Sequence, residues 1–317
     1  MEGLEATEVL CSEALDGTET SRIDPEYFKR DALIAVWKIG SGQSRGELVL
    51  DGYRVVYETT QAIDRDEGEK MGLPYFLQAA DISTPFINTE GMICVPEADW
   101  IRYPKGHIKP GELLIEVKGK AEKIALVPDG FPKKTLVTGT CFKLTTKDPV
   151  DRYFLAAYLT CRYGQALKDR LKSNLLVAYI AKDDLYGLPV PRVSNNLKSQ
   201  LQHCFRSIFV AQGQARSALQ QAESALLHAL GLNTWIPPEA LSYVRSSSEA
   251  FAAGRLDAEY FHPAKAQALA DLRAASDVCL GDLFDSIREL WQPANAASGP
   301  VRNYDLTDAL DPFLDPT

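Results

Sequence analysis

The chain has 317 residues, with 34 Lys and Arg against 43 Asp and Glu and a formal net charge of −9. This length can bury two modest cores, or one core with extended helices. The sequence has no low-complexity tract, and no apolar run comes near the ~20 residues that span a bilayer. The first twelve residues carry Glu but no basic residue, which does not match a signal peptide, so we expect a cytoplasmic protein.

The charge is distributed unevenly along the chain. Residues 1–99 have 8 basic and 20 acidic side chains, a balance of −12, and residues 148–317 have 16 and 19, a balance of −3. Residues 100–147 have 10 basic and 4 acidic side chains, a balance of +6. Such a local basic block is suited to contact with nucleic-acid phosphates, although a solvated lysine-rich face would look the same in sequence.

Motifs of common enzyme classes are missing from the sequence. Six cysteines lie far apart without a Cys-x-x-Cys pair, and the chain has four His, so we expect reduced, mostly buried thiols and no metal site. A glycine-rich phosphate loop and an Asn/Asp-Pro-Pro-aromatic motif are both absent. We therefore expect no catalytic site and no cofactor, neither nucleotide nor methyl donor.

In chain order, the first predicted element is a helix from Asp24 to about Lys38. Asp24 can cap it, Pro25 is favourable at the first helical position, and Gly40 and Gly42 would end it. This helix precedes the predicted strands.

The next predicted elements are strands. Residues 47–59 partly alternate between apolar and polar around Asp51-Gly52, which predicts a hairpin. Further short strands are predicted over 74–77, 92–95, 108–115, 123–127 and 135–144. Together they predict a compact, largely β domain that ends near residue 147.

Beyond this domain the apolar period becomes helical. A helix is predicted from Asp148 to Leu171, followed by an extended segment over 184–191, where two prolines stand one residue apart. Residues 193–232 predict one long helix of roughly 55 Å, at ~1.5 Å per residue. Its predicted caps are Ser194, Asn195 and Asn196 at the start and Gly231 at the end.

The long helix carries an apolar stripe at heptad spacing. The stripe consists of Leu197, Leu201, Cys204, Ile208, Ala211, Ala215, Leu219, Ala222 and Leu226. Such a stripe is typical of packing within one protein, but it also suits contact with another helix, either the one near 255–275 or that of a second copy. Self-association through 193–232 is therefore one hypothesis.

A short repeat links the two ends of the chain. Residues 255–261, RLDAEYF, are identical to residues 22–28, RIDPEYF, at five of seven positions. Both copies are predicted to begin a helix, which indicates two tandem units. Only 63 residues run from 255 to 317, so the second unit is either cut off or completed by another chain.

At this point the sequence resembles the specificity subunit of type I restriction-modification systems. The resemblance covers most of residues 22–275 and is carried by the two R-I/L-D-x-E-Y-F motifs, the KPGELLI turn and strand at 109–115 with VKG at 117–119, and GLPVP at 187–191. It implies two target-recognition domains separated by long helices. It also implies partners: double-stranded DNA, adenine methyltransferase (modification) subunits docked on the helices and, indirectly, a restriction/translocase subunit.

The expected fold is α+β, with a β-rich target-recognition domain followed by long, coiled-coil-like helices. We predict a lead over 1–21, the recognition domain over 22–147, a helical spacer and docking region over 148–232, and the start of a truncated second recognition unit over 233–317. Residues 280–284 and 304–306 would belong to that second unit.

The predicted DNA contacts are basic residues of the 100–147 block. They are Arg102, Lys105, Lys109, Lys118, Lys120, Lys123, Lys133 and Lys134, interleaved with Trp100, Tyr103, His107 and Phe131. Lysines on loops between strands can reach phosphates, which gives affinity without sequence information. Gln78, Asn88 and Arg102 are candidates for reading bases.

Two other functions are consistent with the sequence. Glu116-Val117-Lys118, with Glu112 and Asp99 nearby, resembles the acid-x-Lys strand of a magnesium-dependent nuclease, in which carboxylates hold the metal. The chain could also be a helical adaptor that recruits a partner without contacting DNA. Cleavage and DNA-binding assays separate these alternatives.

Overall fold

The computed structural model describes residues 8–12, 24–39, 48–55, 57, 60–132, 134–173, 177–238, 242–275 and 278–283. Its helices are α1 (Arg30–Ile39), α2 (Arg65–Lys70), α3 (Glu97–Arg102), α4 (Asp151–Thr160), α5 (Arg162–Leu171), α6 (Lys182–Gly187), α7 (Asn195–Ala229), α8 (Ser247–Ala253), α9 (Pro263–Ala275) and α10 (Leu280–Leu283). Its strands are β1 (Val49–Tyr53), β2 (Tyr75–Leu77), β3 (Ile82–Ser83), β4 (Phe86–Ile87), β5 (Ile93–Cys94), β6 (Leu113–Glu116), β7 (Ile124–Leu126), β8 (Thr135–Val137) and β9 (Cys141–Thr146). The expected α+β class is confirmed.

The chain divides into two compact units, Met1–Ser217 and Ala218–Thr317. The predicted boundaries near 147 and 232 stay predictions. Within the described ranges, no helix combines the length and the apolar composition needed to cross a membrane.

The first unit is built on an antiparallel sheet of four strands in the order β1-β9-β6-β7. A second sheet, β5-β2-β8, and the β3-β4 pair complete its strands. Side chains of β6 alternate between two cores: Leu113 and Ile115 belong to the first and Leu114 to the second. The four-stranded sheet is therefore buried on both faces, as the period of two along a strand dictates.

Helices cover one face of this sheet and the smaller strands cover the other. The first core contains side chains from α1, α4, α5 and α6, and the second contains side chains from β2, β3, β4 and β8. Gly164 lets α4 and α5 approach closely, since a Cβ there would lie 2.0 Å from the backbone oxygen of Tyr158.

Helix α7 begins on this unit. Its Phe205 is buried in the first core, with Leu201 and Phe209 packed beside it. Lys198 pairs with the buried Asp151 of α4 (Nζ to Oδ1, 2.5 Å). The predicted long helix is confirmed, with Ser194 Oγ accepting the N–H of Leu197 at its start and Gly231 in the left-handed region (φ +69°) after its end.

The predicted apolar stripe of α7 coincides only in part with the face that packs against the first core. Leu201 is packed, but Phe205, which the heptad pattern left out, is the helix's most buried side chain. The other members of the stripe, from Cys204 to Leu226, are exposed. The packed face therefore lies beside the predicted stripe.

The second unit has no buried side chain among its described residues. Its helices α8 and α9 present large apolar side chains to solvent, including Phe251 at 76% exposure. Helix α8 begins with a capping box between Ser246 and Glu249.

Several predicted β elements differ from the structure. Asp51-Gly52 is not a hairpin turn but lies within β1, which pairs with β9. Gly52 is required there for close approach, because a Cβ would lie 2.3 Å from Tyr186 Oη. The single strand predicted over 135–144 is two strands, β8 and β9, in different sheets.

Several predicted helical elements also differ. The helix predicted from Asp24 is a 3-10 turn (Pro25–Phe28) followed by α1, and Gly40 and Gly42 lie outside the described residues. The helix predicted over 148–171 breaks at Cys161 into α4 and α5. The first part of the segment predicted to be extended, 184–187, belongs to α6.

The structure tests the prediction for the thiols but not the one for residues 284 and 304–306. The thiols are free, but only Cys94 and Cys141 are buried, so the prediction that most are buried was wrong. Residues 284 and 304–306 lie outside the described residues.

Candidate nucleic-acid interface

Five of the eight predicted DNA contacts lie near the ends of two strands, in three groups, whereas Arg102 is the last residue of α3. Lys105 and Lys109 precede β6, Lys118 and Lys120 follow it, and Lys134 precedes β8. All five side chains are exposed. The first two groups lie at opposite ends of β6, whose four residues span ~13 Å at ~3.3 Å per residue, so they form separate parts of the surface.

The first group lines a cavity that we call the lysine cleft. Its cationic lining residues are Lys105, Lys109, Lys143 and Arg152, and its wall includes Tyr53. The cleft has a volume of about 580 Å³ and is open to solvent. Lys105 Nζ lies 5.2 Å from the centroid of the Tyr53 ring, a cation–π contact that restrains a surface lysine.

A buried ion pair forms the floor of the lysine cleft. Lys143 Nζ donates to Glu112 Oε1 (2.8 Å) and to the backbone oxygen of His107 (2.7 Å). The second oxygen of Glu112 accepts the N–H of Lys109 (2.8 Å). Because each buried charge is paired and hydrogen-bonded, the 107–112 loop is fixed to β9.

Arg152 lies at the side of the cleft, in the first turn of α4. Its Nη2 donates to Tyr153 Oη (2.9 Å). Its Nη1 occupies the space beside Gly111 (φ +84°), where a Cβ would lie only 1.9 Å away. The left-handed backbone at residue 111 therefore favours glycine, and the guanidinium lies against it.

The second group lies on the turn between β6 and β7, residues 117–123. Glu116 accepts the N–H groups of Glu122 (3.0 Å) and Lys123 (3.2 Å). Lys168 of α5 is fully buried, and its Nζ donates to the backbone oxygens of Ala121 and Glu122 (3.0 Å each). Burial lowers the pKa of Lys168 to about 8.

The 117–123 turn is therefore held from both sides, while Lys118 and Lys120 stay exposed. The backbone of Lys118 pairs with Tyr179, in the segment between α5 and α6. Neither lysine forms an ion pair within the described part of the chain.

Other predicted contacts are engaged in the fold. Lys134 pairs with Glu97 (2.6 Å), and Lys123 Nζ donates to the backbone oxygen of Ala79 (2.8 Å). Phe131 is buried in the second core, so it is not available to a ligand. Lys133 lies outside the described residues.

The remaining aromatic residues support the loops. The Trp100 and His107 rings stack at 3.4 Å, and His107 Nε2 lies 2.8 Å from the backbone oxygen of Trp100. Tyr103 makes an edge contact with Tyr57. The stack fixes the loop that carries Lys105.

The candidate base readers are exposed. Gln78, Asn88 and Arg102 all have solvent-accessible side chains, and Arg102 lies 5.7 Å from the Tyr103 ring centroid. Asn88 Oδ1 accepts the N–H of Glu90 (3.0 Å). Their role in reading bases stays a prediction.

Three residues of the site were missed from sequence. Arg152, Lys143 and Tyr53 line the lysine cleft, but none was among the predicted contacts. Arg152 falls outside the 100–147 block and reaches the cleft only because α4 packs beside the 107–112 loop. No local sequence pattern could have shown this proximity.

The two glutamates of the nuclease alternative lie far apart, and both already accept hydrogen bonds from the protein. Glu112 and Glu116 are four residues apart on an extended chain, ~13 Å at ~3.3 Å per residue. One is paired with Lys143 and the other accepts two backbone N–H groups. Within the described residues, no three His, Cys, Asp or Glu side chains are grouped to hold a metal.

Comparison with known proteins gives distant structural similarity only. No protein-family model and no curated protein matches the chain. A solved structure that is similar is that of the type IIG restriction endonuclease BpuSI, at 11% sequence identity and a TM-score of 0.40. The similarity covers 57% of this chain and 28% of that chain, so this chain spans less than a third of that enzyme. A TM-score this low does not establish a common fold.

Proposed function

We propose that the chain is a DNA-recognition subunit of a restriction-modification assembly, without a catalytic site of its own. The observation that supports this most is the exposure of Lys105, Lys109, Lys118 and Lys120 on supported loops at the ends of β6. Lysines in such positions neutralise backbone phosphates and bring the protein onto duplex DNA. The acidic remainder of the chain confines this contact to one region.

The finer proposal is that of a type I specificity subunit that binds a defined DNA sequence. Its partners would be adenine methyltransferase (modification) subunits docked on the helices and, through them, a restriction/translocase subunit. Exposed apolar side chains on one face of α7 suit such docking, among them Leu197 and Ile208. Self-association through 193–232 would use the same surface.

Salt-dependent binding of duplex DNA by the full chain tests this function. We expect the logarithm of the binding constant to fall linearly with the logarithm of salt concentration, by ~0.9 for each phosphate neutralised. The double variant Lys118→Gln/Lys120→Gln should weaken binding and reduce this slope by about 2. Competition by unrelated duplexes then measures sequence specificity.

A matched control removes the same charge elsewhere. Lys134→Gln/Lys172→Gln removes two lysines that are already paired, with Glu97 and Asp169, and should change the slope less. A wild-type chain that does not bind duplex DNA at 50 mM salt would refute the proposal. If that chain still co-purified with an adenine methyltransferase, the adaptor interpretation would replace it.

A cleavage assay addresses the nuclease interpretation. With Mg²⁺, we expect plasmid DNA to stay intact in the presence of the wild-type chain, because Glu112 and Glu116 are already hydrogen-bonded. Nicking that disappears in Glu116→Ala would instead establish a nuclease.

A further inference from the structure

We infer that the lysine cleft is a clamp for one phosphodiester of the DNA backbone, and that Arg152 fixes the position of that phosphate. This inference rests on the proposed DNA-binding function and adds a residue from outside the basic block. It assigns the clamp a role in positioning the duplex, since phosphate contacts carry no sequence information.

The first argument is convergence of positive charge from three elements. Lys105 lies on the 3-10 turn Pro104–Gly106, Lys109 lies on the loop before β6, and Arg152 lies on α4. All three side chains line the same cavity. A phosphodiester within it would meet cations from several sides, and such an arrangement stabilises an anion.

The second argument is the balance of charge in the cleft. Two carboxylates also line it, those of Asp51 and Glu112. Glu112 is neutralised by Lys143 at 2.8 Å, and Asp51 accepts the N–H of Gly52 (2.8 Å). Three cations and one uncompensated carboxylate remain, so the cleft is net positive in an acidic protein.

The third argument is that the cations are held before any ligand binds. The Tyr53 ring restrains Lys105, and the hydrogen bond to Tyr153 Oη restrains Arg152. A restrained side chain loses less conformational entropy on binding than a free one. The planar guanidinium of Arg can also contact two phosphate oxygens at once, whereas Lys acts as a point charge.

The experiment measures DNA affinity and its salt dependence for cleft variants of the full chain. We expect Arg152→Gln to raise the Kd about tenfold, the effect of losing a hydrogen bond to a charged group. The salt slope should change little, because Lys105 and Lys109 still neutralise the same phosphate. Arg152→Lys keeps the charge but should recover only part of the affinity. Arg206→Gln, an exposed arginine on α7, makes the same change in net charge and should leave Kd and slope nearly unchanged.

The outcomes separate this inference from the proposed function. If the wild-type chain binds duplex DNA and Arg152→Gln binds with unchanged Kd, the clamp is refuted while DNA binding stands. An effect of Arg152→Gln no larger than that of Arg206→Gln also refutes the clamp. If the wild-type chain binds no DNA, both fail.

Inorganic phosphate identifies the source of the anion. Calorimetric titration of phosphate into the wild-type chain should show at most millimolar affinity, because a single phosphate lacks the rest of the duplex. Tighter binding of phosphate that disappears in Arg152→Gln, with unchanged DNA binding, would make the cleft a site for a free anion and overturn the inference.

Discussion

The D-x-E-Y-F parts of the two motif copies, residues 24–28 and 257–261, fold alike locally but are buried differently. Asp24 Oδ1 accepts the N–H of Tyr27 (3.2 Å), and Asp257 Oδ1 accepts that of Tyr260 (2.9 Å). In each copy the Tyr ring makes an edge contact with the following Phe, at 5.0 and 4.9 Å between centroids. Yet Tyr27 is 4% exposed and Tyr260 is 47% exposed.

Tertiary packing, not local sequence, makes this difference. In the first copy, Arg170 of α5 lies 3.8 Å from the Tyr27 ring centroid, and its Nε donates to the backbone oxygen of Tyr27 (2.7 Å). In the second copy, the arginine over the ring of Tyr260 is Arg255, from the motif itself. The motif therefore specifies a turn, and the turn is buried only where a helix such as α5 packs over it.

Removal of the tyrosine ring should give the largest difference between the copies. We expect Tyr27→Ala to lower the free energy of unfolding of the first unit by about 3 kcal/mol, as large-to-small changes of buried aromatic residues do. Tyr260→Ala should have no measurable effect on that unit. Hydrogen exchange of the β9 amides measures both, and unchanged exchange in Tyr27→Ala would show that the ring matters only within its own turn.

The pH dependence of stability tests how firmly α5 is held over the first copy. Because burial lowers the pKa of Lys168 to about 8 in the folded state, the folded chain loses this proton before the unfolded chain does. The stability that this lowered pKa contributes is fully present above the pKa of Lys168 in the unfolded chain, and it is lost as the pH falls from about 10.5 to 8. At ~1.4 kcal/mol per pKa unit, the full change is about 3 kcal/mol.

Comparison with Lys168→Met isolates this contribution. The free energy of unfolding of the wild-type chain, minus that of the variant, should increase between pH 8 and 10. Groups common to both chains, such as Cys141, whose pKa burial raises to about 12, cancel in this difference. Parallel pH profiles would mean that Lys168 is not buried as the structure shows.

The arginines above the two rings should differ by a smaller amount. Arg170→Gln removes a cation–π contact and a hydrogen bond from the first copy, and we expect it to cost about 1–2 kcal/mol of unfolding free energy. Arg255→Gln in the exposed second copy should change nothing measurable. Chemical denaturation of the two variants compares them, and a large effect of Arg255→Gln would indicate that something covers the second copy in solution.

The same contrast explains which parts of the fold could be predicted. The caps at Asp24 and Ser194 and the long helix depend on neighbouring residues, and all were predicted from sequence. The role of Gly52 depends on Tyr186, which is 134 residues away, and was mistaken for that of a turn. Close approach and turning both favour glycine, so sequence could not separate them.

The candidate site shows the same limit. Charge counting found the loops of Lys105, Lys109, Lys118 and Lys120, because charge is a local property. It could not show that Lys134 is paired with Glu97. Nor could it find Arg152, whose place in the lysine cleft follows from the packing of α4.

The smallest expected difference concerns the capping aspartate, which each copy has at the same motif position. Asp24→Ala should cost about 1 kcal/mol of unfolding free energy, a typical value for loss of an N-cap, because the turn of the first copy is coupled to α5 and the core. Asp257→Ala removes the equivalent hydrogen bond, but no buried structure depends on it, so only local helicity near α9 should fall. Hydrogen exchange at Tyr27 and Tyr260 distinguishes the two effects, since local fraying speeds exchange at 260 alone, whereas destabilisation of the unit speeds it at 27 and β9 together. If Asp257→Ala also destabilised a larger unit, the second copy would have tertiary contacts comparable to those of the first.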